Sequence, residues 1–303
     1  MNTMQKKEVV TLIAQEKERL GSHRAVANKA GISEATISQM VNEKWEQIAD
    51  AMWLKVATAL GWKANGWQLT DITNTRILHS VFRDAKAKSA FFAVSHRAGS
   101  GKTASAKSFA EQEYRSGVYF LQCREWGRNA FLQNLCQVLG IDQGRGYVSA
   151  DDLLQKIIRF FQDRITMQPL LIIDEADKLR PAALRALIPL YNYLENQVGL
   201  VIMGTDNLEK EIKNGVRFNR KGMDEIDSRF GRNFIHLLGA TKKDVERICE
   251  ANGITDKTLA ASLFKECEPR QVPYHGQHTM MVEDLRRLKR CIEREQLRAA
   301  EAA

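Results

Sequence analysis

Four short, mostly apolar runs stand out along the chain, and stretches with helical periodicity separate them. The runs cover residues 91–94, 118–122, 170–173 and 199–204, and their length and hydrophobicity are typical of buried strands. Strands that alternate with helices in this way predict a parallel sheet covered by helices, an α/β fold. In such sheets ligands bind beyond the carboxyl ends of the strands, so the residues after each run are candidate site residues.

The amino-terminal region shows helical periodicity but no such strand. Helices are predicted over residues 5–20, 23–30, 34–42 and 47–60. Gly31 ends the second of these helices before the third begins. Ala27, Gly31 and Ile37 have the spacing of a helix-turn-helix, in which a small residue allows close crossing and glycine makes the turn. We expect Trp53, Trp62 and Trp67 to close the small core of this module.

This segment is similar to the repressor-type helix-turn-helix family, whose second helix enters the major groove of DNA. The similarity implies DNA contacts through Ser33, Thr36, Gln39 and Lys44, although the negative charge of Glu34 is unfavourable there. A small helical bundle that contacts proteins is the alternative. Residues 62–74 are predicted to be a linker that leads to a helix over 75–89.

The loop after the first strand carries the clearest chemistry. Residues 91–103 read FFAVSHRAGSGKT, which is the strand, glycine-rich loop and helix of a phosphate-binding P-loop. Gly99 and Gly101 let backbone N–H groups turn toward an anion, Lys102 would reach the β- and γ-phosphates, and the Thr103 hydroxyl would hold Mg²⁺. The motif expects glycine where His96 stands, so either the loop entry is tighter or His96 faces solvent. The predicted nucleotide-binding residues in this loop are Gly99, Ser100, Gly101, Lys102, Thr103 and Ala104.

The third run ends in two carboxylates, Asp174 and Glu175. Asp174 would hold Mg²⁺ through water, and Glu175 would polarise the attacking water as general base. The alternative is a solvated acidic turn, but Lys102 and Thr103 lie about seventy residues upstream, as in nucleotide hydrolases. Together the two stretches predict an ATPase that uses ATP and Mg²⁺.

The composition of the chain indicates the kind of partner it binds and the cellular compartment it occupies. The chain of 303 residues carries a formal net charge of +8, which favours a polyanionic partner such as DNA. Its five cysteines are scattered and odd in number, which is typical of reduced thiols in a cytoplasmic protein. No apolar run reaches 18 residues, so no membrane span is expected.

The motifs SHRAGSGKT, LLIIDEADKL and GLVIMGT, in this order and spacing, resemble those of the AAA+ ATPases. Within that family the chain is similar to the transposition target-selection ATPases of the phage Mu B type, which also begin with a helix-turn-helix. The resemblance implies a helix-turn-helix domain over residues 1–66, an AAA+ core over 67–240 and a helical lid over 241–303. Helices are predicted in the lid over residues 242–251, 256–267 and 282–298, with a break around 269–278.

Further roles follow from the resemblance alone. Thr205 occupies the sensor 1 position, and Arg229, with Arg232 as alternative, matches the arginine finger that a neighbouring subunit supplies in a homo-oligomeric ring or filament. Arg286, with Arg287 as alternative, matches sensor 2, although Glu283 and Asp284 stand where the family has glycine. The implied catalytic residues are Asp174, Glu175, Thr205, Arg229 and Arg232.

Basic residues crowd the connection between residues 207 and 232. In DNA-binding AAA+ proteins such a segment tracks the phosphate backbone, while the alternative is an ordinary solvated loop. The candidate DNA-binding residues include Lys178, which follows the acidic pair, as well as the basic residues of this connection. They are Lys178, Lys210, Lys213, Arg217, Arg220 and Lys221.

The motifs predict an ATPase, and the resemblance implies one that oligomerises on duplex DNA with little sequence preference, selects a transposition target and activates a partner transposase. Two alternatives stay open. One is a helicase loader or replication initiator with the same fold, and the other is a transcription regulator in which the helix-turn-helix reads a sequence and ATP acts as a signal.

Overall fold

A computed structural model of the chain describes residues 3–62, 67–144, 146, 148–274 and 276–301. Helices fill the amino-terminal part, a parallel sheet with flanking helices forms the centre, and a small mixed unit follows. The predicted fold class is confirmed. The predicted boundary between residues 66 and 67 lies at the edge of residues that are not described.

The amino-terminal module consists of four helices around a core that includes Val9, Val26, Ile37 and Trp53. Ser22 starts the second helix by accepting a hydrogen bond from the backbone nitrogen of Ala25 at 3.1 Å. The fourth helix begins three residues later than predicted, because a short 3-10 turn precedes it. The helices are α1 (Thr3–Leu20), α2 (His23–Ala30), α3 (Glu34–Val41) and α4 (Asp50–Ala59).

The central part contains the four predicted strands and a fifth, very short one. It comprises α5 (Thr73–Lys88), β1 (Phe91–Ser95), α6 (Lys102–Gln112), β2 (Val118–Gln122), α7 (Arg128–Val138), α8 (Ala150–Gln162), β3 (Leu170–Asp174), α9 (Pro181–Leu184), α10 (Leu187–Leu194), β4 (Gly199–Gly204), α11 (Asp206–Arg217), α12 (Met223–Arg229) and β5 (Phe234–Ile235).

All five strands are parallel, in the order β2-β3-β4-β1-β5. Ser95 pairs with Gly204, and Gln122 pairs with Asp174, so the carboxyl ends of four strands meet at one edge of the sheet. This register brings the residues after three separate strands to the same place.

The amino-terminal module packs directly on the central part instead of standing apart from it. Arg19 donates to the carbonyl oxygen of Val118 at 2.6 Å, and Asn28 donates to that of Gly140 at 3.2 Å. Gly140 has φ +68°, and a Cβ there would come within 2.7 Å of the Cβ of Ala25. Both parts therefore contribute to one continuous hydrophobic core.

The carboxyl-terminal unit corrects the prediction of a purely helical lid. The predicted break around residues 269–278 is part of an antiparallel hairpin, which joins a third strand in the order β6-β8-β7. Most of the described hairpin positions are exposed and only Met281 and Val282 among them are buried, so no long apolar run marks the strands. The elements are β6 (Ala240–Thr241), α13 (Lys242–Ala251), α14 (Lys257–Glu266), β7 (Arg270–Tyr274), β8 (Gln277–Val282) and α15 (Leu285–Glu301).

This unit has its own hydrophobic core, formed by side chains of all three helices and the sheet, among them Val245, Leu263 and Ile292. All five cysteines are buried free thiols. Among the described helices, none combines the length and hydrophobicity that crossing a membrane requires.

Candidate active site

The loop between β1 and α6 has the backbone that the glycine pattern predicts. Gly99 and Gly101 have φ of +84° and +88°, values that side chains disfavour. Lys102 is buried and donates to the carbonyl oxygens of His96 at 2.5 Å and Arg97 at 2.9 Å. Burial lowers the pKa of Lys102, and the nearby carboxylate of Asp174 opposes that shift. The loop thus presents a cation at the start of a helix, an arrangement that suits phosphate.

His96 replaces the first glycine of the motif and is buried, with only 9% of its surface exposed. The expectation that it faces solvent is therefore wrong. Burial and the charge of Lys102 lower its pKa, and its Nε2 atom has no hydrogen-bond partner among the described residues. Its backbone carbonyl, which any residue would supply, is what holds Lys102.

Thr103 and Asp174 lie side by side at the carboxyl ends of the strands. The Thr103 hydroxyl donates to the Asp174 carboxylate at 2.5 Å. Burial raises the pKa of Asp174, while this hydrogen bond opposes the shift. A buried carboxylate beside a hydroxyl offers the hard oxygen ligands that Mg²⁺ prefers, so the residues present fit the ion.

Glu175 follows directly and has a left-handed backbone with φ +54°. Its carboxylate accepts a hydrogen bond from Lys178 at 2.5 Å, which raises the pKa of Lys178. The Glu175 side chain is about 29% exposed, so water can reach it. The predicted general base is thus held by an ion pair with a residue predicted to bind DNA.

Thr205 lies at the end of β4 and faces a third carboxylate. Its hydroxyl donates to Asp177 at 2.7 Å and also caps α11 by accepting from the backbone nitrogen of Asn207 at 3.3 Å. No role is predicted for Asp177 from the sequence, although it lies only two residues after Glu175. Asp177 fixes the side chain to which the resemblance assigns the orientation of the attacking water.

Asn74 is a further residue that sequence reasoning missed. It is completely buried on α5, donates to the carbonyl oxygen of Ser100 at 3.0 Å, and accepts from the backbone nitrogens of Leu238 and Gly239. One side chain therefore ties the phosphate loop to the start of the carboxyl-terminal unit. A single asparagine in a helix gives no sequence signal for such a role.

The amino end of α15 rests on the phosphate loop. The backbone nitrogen of Leu285 donates to the carbonyl oxygen of Gly99 at 2.9 Å, and a Cβ on Gly99 would collide with Asp284. Asp284 also caps α15 by accepting from the backbone nitrogen of Arg286 at 3.0 Å. This cap gives a reason for aspartate where the family has glycine.

A cleft of about 640 Å³ lies between the sheet edge and α15, within the size range of ligand pockets. Arg286 and Lys289 line it, whereas Arg287 pairs with Glu268 at 2.9 Å and does not. Trp67 also lines the cleft beneath Lys289, so its predicted place in the amino-terminal core is wrong. The predicted loop residues Gly99, Ser100, Gly101, Lys102, Thr103 and Ala104 all line this cleft, together with Asp174, Glu175 and Thr205.

The two candidate arginine fingers lie away from the described lining of this cleft. The Arg229 side chain is 19% exposed, donates to Asn192 at 2.9 Å and packs over the ring of Tyr191. Arg232 is 52% exposed and pairs with Asp224 at 2.8 Å. Arg232 is therefore the more accessible of the two to a neighbouring molecule.

The candidate DNA-binding residues fall into two groups. In the amino-terminal module, Ser33 caps α3 and its hydroxyl lies 2.8 Å from that of Thr36, while Lys44 is exposed and Gln39 half-buried. In the other group, the expected loop is largely α11 and α12. Lys213 is held by Asp227 at 2.9 Å, so it is not a free cation. The remaining members of this group are exposed, namely Lys178, Lys210, Arg217, Arg220 and Lys221.

The central part of the chain is similar in sequence to a known protein family. The sequence profile of the family described as an AAA domain matches residues 87–212, which run from the end of α5 into α11. Residues 87–212 are therefore similar to an AAA domain. No curated protein matches the chain significantly in sequence.

Solved structures similar to this chain include Cdc6p from Pyrobaculum aerophilum, with a TM-score of 0.55 and 15% identity over 78% of this chain. The chain spans 65% of the length of that protein. The RuvB Holliday junction branch migration motor from Thermotoga maritima is also similar (TM-score 0.41, 16% identity, covering 75% of this chain and 63% of RuvB). The likeness to Cdc6p shows the AAA+ fold.

Proposed function

We propose that the chain is an ATP-dependent DNA-binding AAA+ ATPase that assembles on duplex DNA, marks it as a transposition target and activates a partner transposase. The observation that carries the ATPase part is the convergence of Lys102, the Thr103–Asp174 pair and Glu175 in one cleft closed by Arg286. Transposition rests on the sequence resemblance to the Mu B-type proteins.

Each residue has a distinct part in the proposed reaction. Loop N–H groups and Lys102 bind the β- and γ-phosphates, and Thr103 and Asp174 hold Mg²⁺, which when bound neutralises phosphate charge. Glu175 polarises and deprotonates the attacking water, while Thr205, fixed by Asp177, helps to orient that water. Arg286 approaches from the lid.

The site is completed by a neighbouring subunit in this proposal. Arg232, or Arg229 after release from Asn192, would reach the γ-phosphate of an adjacent copy, where developing charge needs a cation. Hydrolysis would then depend on assembly, and DNA would promote assembly by aligning copies along its phosphates.

A second candidate is a replication initiator or helicase loader, which the structural likeness to Cdc6p favours. Both candidates share ATP-dependent binding to duplex DNA. They differ in partner: copurification with a hexameric replicative helicase would favour the second, and stimulation of hydrolysis by a transposase would favour the first.

The shared part is tested by fluorescence anisotropy of labelled random-sequence duplex DNA with ATP, ADP or no nucleotide. We expect tight binding only with ATP, little dependence on sequence, and hydrolysis that rises when duplex is added. Binding to one preferred sequence without nucleotide would instead assign the function to the helix-turn-helix.

Lys178→Ala is expected to raise hydrolysis in the absence of DNA by about two- to fivefold, because it frees the Glu175 carboxylate from a partly exposed ion pair. The measurement is steady-state phosphate release with and without duplex. Lys178→Arg keeps the pair and serves as the matched control. A large loss of hydrolysis in the alanine variant would show that Lys178 positions the base instead of restraining it.

A further inference from the structure

Phe218 lies on the turn between α11 and α12 and leaves 63% of its surface in solvent, although it is a large aromatic residue. The four residues around it are also exposed, so residues 217–221 form one projecting turn, which we call the Phe218 turn. The guanidinium of Arg217 lies over the Phe218 ring, 5.5 Å from its centroid. This contact stays in the turn and buries little of the ring.

The backbone of the Phe218 turn is fixed. The nitrogen of Phe218 donates to the carbonyl oxygen of Asn214 at 2.9 Å, and that of Arg220 donates to Gly215 at 2.8 Å. A Cβ on Gly215 would come within 2.5 Å of Met223, so α11 and α12 are in close contact behind the turn. Phe218 is therefore held outward by ordered backbone, and little conformational entropy would be lost when it binds a partner.

The basic residues of the Phe218 turn are available to bind a negatively charged partner. Among the described residues, Arg217, Arg220 and Lys221 form no salt bridge, because the carboxylates of α12 already have partners. Those pairs are Asp224 with Arg232, Glu225 with Arg229, and Asp227 with Lys213.

One further carboxylate faces the Phe218 turn. Glu211 is half-buried on α11, where burial raises its pKa although the charge of Arg220 opposes that shift. It forms no salt bridge with Arg220 within the described part of the chain. The turn therefore combines one exposed ring with three cations in the same five-residue segment, of which Arg217 lies over the ring.

We propose that the Phe218 turn is a contact with duplex DNA in which Arg217, Arg220 and Lys221 bind phosphates and Phe218 supplies an apolar contact to sugars or base edges in the minor groove. Apolar side chains flanked by cations serve this purpose in minor-groove binders. The inference rests on the proposed DNA binding and adds a residue and a mode of contact to it. A second copy of this chain is a poorer occupant, because three unpaired cations would approach a molecule of net charge +8.

The place of the turn connects it with the nucleotide. Helix α11 runs for 12 residues, or about 18 Å, from its cap at Thr205 to the turn. Thr205 is held by Asp177 inside the cleft. A single helix thus joins Thr205, which is assigned to orienting the attacking water, to the proposed DNA contact, so a change in the nucleotide site can reach the DNA-binding surface through α11.

The test compares Phe218→Ala and Arg220→Gln by anisotropy on random-sequence duplex with ATP, across a range of salt concentrations. An apolar contact releases no counterions, so Phe218→Ala should weaken binding about tenfold without changing the slope of log affinity against log salt. Arg220→Gln should reduce that slope by about 0.9, the value for one phosphate contact. Leu297→Ala, which removes another exposed apolar side chain on α15, is the control and should bind like wild type.

Phe218→Ala with wild-type affinity would overturn the proposal. So would loss of ATP-dependent assembly without DNA, measured by light scattering, since that result would make Phe218 a contact between copies. If wild-type protein fails to bind duplex with ATP, both the inference and the proposed function are wrong. If wild-type protein binds duplex with ATP and Phe218→Ala binds it equally well, only the inference about the Phe218 turn is wrong.

Discussion

Lys102→Ala is expected to abolish the response of DNA binding to ATP. Lys102 is buried at the start of α6, and its ammonium group now bonds to the carbonyl oxygens of His96 and Arg97. Phosphates would replace these partners, and truncating a buried charge that meets an opposite charge typically costs about 2–5 kcal/mol. ATP affinity should therefore fall by about 30-fold or more.

The measurement for Lys102→Ala is binding of a fluorescent ATP analogue, followed by duplex anisotropy with ATP. Lys107→Ala is a matched control, because Lys107 lies on the same helix and bonds to Gln122 at 3.1 Å, outside the cleft lining. Thermal unfolding of both variants checks that the loop has not collapsed. Wild-type ATP-dependent DNA binding in Lys102→Ala would refute the proposed use of the nucleotide.

The long apolar strands could be predicted from the sequence because burial on both faces leaves a continuous signal. Strands β1, β3 and β4 are of this kind, and the residues after them are those that the structure brings together. Strand β5 has two residues, too few for any period. The hairpin of β7 and β8 is largely exposed, so its sequence lacks the apolar run that marked the others.

The residues that support the site were harder to predict, because their roles depend on contacts between distant parts of the chain. Asn74 reaches Ser100, 26 positions away, and Gly239, 165 positions away. Trp67 was assigned to the nearest module in sequence but packs with α15. The P-loop could be predicted because its function requires a local backbone shape, whereas Asn74 and Trp67 act through the tertiary fold.

The contacts between the loop and α15 suggest how nucleotide state would reach the rest of the molecule. Leu285 and Asp284 touch Gly99, and Asn74 holds the neighbouring carbonyl of Ser100. A phosphate that reorders the loop must therefore shift the base of α15 and the residues near Gly239. On the opposite side of the cleft, Thr205 caps α11, the helix that leads to the Phe218 turn.

Glu175→Gln is expected to separate ATP binding from hydrolysis. Glutamine has nearly the same shape but cannot accept the proton of the attacking water, and loss of a general base typically costs 100- to 10,000-fold in rate, roughly. Glu175 bonds to Lys178 and not to the phosphate loop, so ATP binding and ATP-dependent DNA binding should survive. Complexes with duplex should also last longer, since hydrolysis would no longer release them.

The measurement for Glu175→Gln combines phosphate release with the dissociation rate of labelled duplex after dilution into unlabelled competitor. Glu209→Gln is the control, because Glu209 lies on α11, pairs with His236 at 3.3 Å and does not line the cleft. Hydrolysis at the wild-type rate in Glu175→Gln would show that Glu175 is not the general base. Loss of both hydrolysis and DNA binding would instead show that the carboxylate maintains the shape of the site. Lys102→Ala should lose both functions, so the two variants together distinguish a binding role from a catalytic one.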